Sequence, residues 1–154
     1  MDEYAFETEV TEVVPIGLVP EGLRIDAHYQ GSVTEGPLAG DTVTGIDHLL
    51  LRRDGIAVID VRQVARSAAG RTVSWYAGGY ITPEGEMPPL EVIGDPGFVW
   101  PDLEMPLHGW ATMRTAAPDL QALNSTVYGF TGTVNVARGQ LRVRGQSLAR
   151  ILVG

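Results

Sequence analysis

Alternation of apolar and polar residues, cut repeatedly by glycine and proline, constrains this chain more than any other feature. Leu23, Ile25, Ala27 and Tyr29 fall on one face, and Arg24, Asp26, His28 and Gln30 on the other. That phase belongs to a half-buried β-strand, whose successive side chains leave opposite faces. Residues 4–14 alternate the same way, with Tyr4, Phe6, Thr8 and Val10 opposed to Glu7 and Glu9, and Pro15 together with the turn stretch Val19-Pro20-Glu21-Gly22 is expected to end the strand. Further strands are expected over residues 43–51, 56–66, 71–81, 107–115, 127–136 and 141–153. Arg53-Asp54-Gly55 is the strongest hairpin signal, because glycine enters positive φ at little cost. Gly78-Gly79, inside a strand pattern, suggests a bulge or sharp bend.

Residues 82–106 differ: prolines at 83, 88, 89, 96, 101 and 106 forbid regular pairing over most of the stretch. An ordered loop or lid is expected there, with Phe98 and Trp100 as anchors. Residues 118–123 suit one helical turn with Pro118 early in it. About eight strands with hairpin connections and at most one short helix read as all-β, either a sandwich or a closed barrel. The barrel is favoured, because consecutive strands read as hairpin neighbours and closure removes sheet edges. The expected form is an antiparallel up-and-down barrel, calycin-like or allene-oxide-cyclase-like, built as a single domain from all 154 residues.

Composition excludes several chemistries. A formal net charge of −8 repels phosphate, so nucleic acid is not an expected partner. There is no cysteine, and all 11 cations are arginine. Thiol nucleophiles, thiolate metal sites, disulfides, Schiff bases and lysine bases are therefore excluded. His28, His48 and His108 lack metal-ligand spacing, so neither a metal nor any other cofactor is expected. Residues 36–40 are not a phosphate loop, and Ser74 and Ser125 lack a nucleophile elbow. The acidic opening residues lack the apolar core of a signal peptide, and no run approaches the roughly 20 apolar residues of a membrane helix. A cytoplasmic protein without a membrane partner is expected.

The central stretch resembles a small bacterial family known as domain of unknown function 3237. The residues carrying the resemblance are Gly31, Glu35-Gly36-Pro37, Leu38-x-Gly40, Gly45-x-Asp47, Asp54-Gly55 and Asp60-x-Arg62. A second patch is Leu123-Asn124 followed by Gly129 and Gly132, although Ala122 stands where such proteins tend to carry an aromatic. The resemblance implies a small β-barrel and no particular reaction.

Asp60 and Arg62 are two apart and share a strand face. Asp47 and His48 point to opposite faces of the paired strand, and Asp47 is expected to join the Asp60/Arg62 face. Turned inward, Asp47, Asp60 and Arg62 would form a polar cluster in an apolar cavity, with carboxyl pKa values driven apart for acid–base work. Turned outward, Asp60 and Arg62 would be a solvated pair, leaving Ala57, Ile59 and Val61 to the core. His108, at the end of the proline-rich stretch, is a further candidate base at a barrel mouth. Tyr29, Trp75, Tyr76, Trp110, Asn124 and Tyr128 are candidate substrate contacts. The functions open to such a chain are a cofactor-free isomerase, cyclase or dehydratase (lyase) acting on a largely apolar metabolite, of the kind found in secondary metabolism; a non-catalytic binding barrel for a small organic ligand; or a structural barrel. A homodimer or higher homo-oligomer is expected under each.

Overall fold

The computed structural model describes residues 2–149. Eight strands run in order: β1 (Glu3–Val19), β2 (Gly22–Glu35), β3 (Thr42–Arg52), β4 (Ala57–Arg66), β5 (Thr72–Ile81), β6 (Met105–Thr115), β7 (Val127–Asn135) and β8 (Gln140–Ser147). Each pairs antiparallel with the next, and β8 returns to β1, closing an up-and-down barrel. The all-β barrel expected from the alternation is the observed fold. The expected last strand ran to residue 153; residues 150–154 lie outside the described residues.

The alternating faces resolve as the pattern requires. Tyr4, Phe6 and Thr8 of β1, Leu23 and Tyr29 of β2, and Ala57, Ile59, Val61, Gln63 and Ala65 of β4 are buried. At one end, the turn after β2 and a 3-10 helix (Pro118–Ser125) bury Leu38, Leu120 and Leu123. Both Asp41 carboxylate oxygens accept from Arg71 Nη2, at 3.0 and 3.1 Å, tying the β2–β3 and β4–β5 turns together. Much of the Glu35–Gly40 motif therefore builds the closed end. Gly36 and Gly40 take φ of +97° and +92°, and Leu38 is a plug.

At the other end the proline-rich segment lies over the barrel. It contains one short helix, α1 (Leu90–Ile93), whose Leu90 and Ile93 are buried. Phe98 and Trp100 pack edge to face at 5.3 Å and rest against the core.

Two local expectations are corrected. Pro15 does not end β1, which continues to Val19. The ladder with β8 stops at Glu9, so Pro15 sits where β1 has only β2 as a neighbour, a position that tolerates a missing donor. Gly78-Gly79 makes no bulge, because β5 keeps unbroken register with β4 and β6. Glycine is needed for close approach instead: a Cβ on Gly79 would lie 2.1 Å from the His108 carbonyl oxygen.

Candidate functional site: a polar cluster in an apolar barrel cavity

The barrel is hollow. Its interior holds a cavity of about 290 Å3 with an almost wholly hydrocarbon wall, including Phe6, Ile25, Leu49, Ile59, Trp75 and Phe130. The void follows from the cross-strand rows. Tyr29, Gly45, Gln63 and Trp75 lie side by side across β2–β5, and the next row is Ala27, Asp47, Val61 and Ala77. The alanines of the second row leave open space beside Asp47.

Within the first row, the Tyr29 hydroxyl donates to Gln63 Oε1 at 2.6 Å. Gly45 lets the tyrosine cross: a Cβ there would lie 2.6 Å from the Tyr29 hydroxyl and 2.7 Å from Gln63 Cβ. Gln63 is buried, and among the described residues its Nε2 has no hydrogen-bond partner; neither does the buried Thr8 Oγ1. Both residues line the cavity. A buried amide donor held in place and left unpaired costs stability, and a ligand acceptor would satisfy it.

Asp47 is the carboxylate of this cavity. Its Oδ1 accepts from the Asp60 backbone N–H at 3.0 Å. The β3–β4 ladder skips from Asp47–Val61 to Leu50–Val58, and this side chain takes up an N–H that the interruption releases. Burial pushes the Asp47 carboxyl up from 3.8 to about 6, the Asp60 N–H pulling the other way and the Asp60 charge adding to the rise. Burial chiefly, and then the Asp47 charge, raise the Tyr29 phenol, which stays a neutral donor.

The expected Asp47–Asp60–Arg62 cluster does not form. Asp47 pairs directly with Val61, so it shares the inner face with Ile59 and Val61 while Asp60 and Arg62 point out. Their side chains are 51% and 57% exposed, and their ion pair of 3.1 Å stands in water. Arg62 also lies 3.5 Å over the Tyr76 ring. His108 is exposed on the outer face of β6 and not at a barrel mouth, with its ring 6.1 Å from that of Tyr80.

Of the expected substrate contacts, Tyr29 and Trp75 line the cavity. Tyr128 is buried at the closed end, its ring 5.2 Å from that of Tyr4. Tyr76 and Trp110 sit on the outer surface, in contact with each other at 5.1 Å. Asn124 is remote from the cavity and ties the 3-10 helix to β6, accepting from Thr115 N–H and donating to Thr115 O, each at 2.9 Å. Gln63 and Thr8 were not among the expected site residues. The signal for Gln63 was present: it is the one polar side chain in the apolar phase of β4.

These features define a closed eight-stranded antiparallel barrel with a small, largely apolar internal cavity. The chain belongs to the family described as protein of unknown function (DUF3237), whose model matches residues 3–145. Three crystal structures share the fold. A protein of unknown function from Clostridium acetobutylicum ATCC 824 is 18% identical with a TM-score of 0.75, each chain covered over 96%. A conserved protein of unknown function from Rhodopseudomonas palustris is 14% identical with a TM-score of 0.70, over 95% of this chain and 94% of that one. A β-barrel-like protein from Acinetobacter baumannii AYE is 18% identical with a TM-score of 0.67, over 94% and 91%. No curated protein matches the sequence.

Proposed function

We propose that the cavity binds a small, uncharged, largely apolar carbonyl compound and moves a proton on it, as an isomerase does. The observation that carries this reading is that Asp47, raised to about 6, and Gln63, whose Nε2 has no partner among the described residues, both line one apolar cavity. A volume near 290 Å3 is at the small end for ligand sites, which suits a compact metabolite. Among the described residues no arginine lines the cavity, so an anionic ligand would meet Asp47 without a countercharge there.

Asp47 carboxylate takes a proton from the carbon beside the carbonyl. The C–H electrons form a C=C bond, and the carbonyl oxygen becomes an enolate oxygen. Gln63 Nε2–H donates to that oxygen, and the Tyr29 hydroxyl on Gln63 Oε1 polarises the amide and holds it in place. Asp47 then returns the proton to a different carbon. A base with a pKa near 6 is ionised at neutral pH and still basic enough to act.

A second reading has an observation of its own. Asp47 fills a gap in the ladder, and a carboxylate kept for that purpose fits a binding barrel without turnover. Deuterium exchange at the α-carbons of β,γ-unsaturated cyclic ketones in D2O, followed by proton NMR, separates the two. The catalytic reading expects exchange that rises through pH 6, falls about 10²–10⁴-fold in Asp47→Asn, and falls in Gln63→Leu. Ketone binding by Asp47→Asn should stay within about tenfold of the parent. Binding without exchange supports the second reading, and no binding across the series contradicts both.

A further inference from the structure

We infer that the outer face of β3–β6 is the interface with a second copy of this chain, related by a two-fold axis. The outward residues of an antiparallel sheet facing water are normally polar. On β1 and β8 they are: Glu7, Glu9, Arg142 and Arg144 are exposed. On β3–β6 apolar and aromatic side chains stand among the polar ones. Ile46, Leu50, Val58 and Val64 point outward and are half-buried by their neighbours. Tyr76, Tyr80 and Trp110 stand 36%, 42% and 41% exposed among them.

The aromatic group is already ordered. Trp110 covers Gly78, where a Cβ would come within 3.0 Å of the indole. Its ring meets Tyr76 at 5.1 Å, and Tyr76 carries the Arg62 guanidinium at 3.5 Å. Arg52 lies 5.8 Å over Tyr80. Tryptophan, tyrosine and arginine held in this way lose little freedom on association, and they are the side chains that dominate protein interfaces.

Charge selects a second copy as the occupant. Two molecules of net charge −8 repel each other in general. On and beside this face each carboxylate has a guanidinium at hand: Asp60 with Arg62 at 3.1 Å, Asp26 with Arg24 at 2.9 Å, Asp54 with Arg52 at 2.6 Å. Both signs lie side by side, so a two-fold axis between the pairs can set the guanidinium of one copy against the carboxylate of the other. Four strands (β3–β6) spaced about 4.8 Å, and about seven residues rising about 3.3 Å each, span roughly 440 Å² in projection before side-chain relief is added. That is within about a factor of two of the roughly 800 Å² per partner in a stable complex.

Sedimentation velocity of the full chain from about 1 to 100 µM tests the inference. The expected species has twice the 16.6 kDa chain mass. Trp110→Glu and Tyr76→Glu should each weaken the dimer about 30-fold or more, while Arg142→Gln on the outer face of β8 leaves it intact. Circular dichroism checks that the variants are folded. Dilution of the parent protein gives a reading without them: indole emission should shift to the red on dissociation, and the shift should vanish in Trp110→Phe. A parent monomeric at 100 µM overturns the proposal, as does a dimer untouched by both folded glutamate variants, or one whose dissociation leaves Trp110 emission unchanged.

Discussion

Asp47 and Asp60 stand on opposite sides of one sheet wall, joined by a single hydrogen bond from the backbone of one to the carboxylate of the other. Inside, no cation among the described residues lies at hydrogen-bond distance from Asp47, and its pKa is raised to about 6. Outside, Asp60 has an arginine at 3.1 Å and half its surface in water. The same functional group is a desolvated acid on one face and a solvated ion on the other. What separates them is one step of strand phase, and that phase also decides which residue has chemistry to offer.

The comparison can be tested from both sides. The largest effect is expected at Asp47. Its folded pKa lies above its unfolded value, so its contribution to stability is fully present below pH about 3.8 and is lost as the pH rises through about 6. Ionising it in the fold costs on the order of 3 kcal/mol. Asp47→Asn keeps an acceptor for the Asp60 N–H and removes that cost. The variant should match the parent at pH 4 in urea unfolding and exceed it by up to about 3 kcal/mol at pH 8. Equal stability at both pH values would place the carboxyl in water.

A smaller effect is expected at Gly45, where an added methyl meets the Tyr29 hydroxyl and Gln63 Cβ inside 3 Å. Gly45→Ala should lower stability by about 1–3 kcal/mol and release the Tyr29–Gln63 hydrogen bond. Loss of protection of the Tyr29 hydroxyl proton in NMR would report the release. The smallest effect belongs outside: in the dissociated monomer Asp60→Asn and Arg62→Gln should each change stability by under about 1 kcal/mol and leave α-carbon exchange unaltered. A large effect of either on exchange would reverse the comparison.

Much of the fold was legible because alternation is a local signal. Leu23 to Tyr29 declare their inner face, and Arg53-Asp54-Gly55 declares its hairpin. The site was less legible, because it depends on register between strands. Asp60-x-Arg62 looks like a functional pair until Asp47 is seen to pair with Val61. Tyr76 and Trp110 have the composition of a ligand site, and only the phase of β5 and β6 puts them outside. Asn124 reads as a binding residue in a short motif, whereas its amide ties the 3-10 helix to β6. The better clue was Gln63, a polar residue repeating in phase with Ile59 and Val61.

One carboxyl group, that of Asp47, faces the apolar cavity of the barrel. Carbon-13 NMR titration of the aspartate carboxyl carbons, with Asp47 assigned by the resonance lost in Asp47→Asn, tests it most directly. The structure predicts an inflection near pH 6 for Asp47. An inflection near the ordinary 3.8 would mean a solvated carboxylate and would contradict the account.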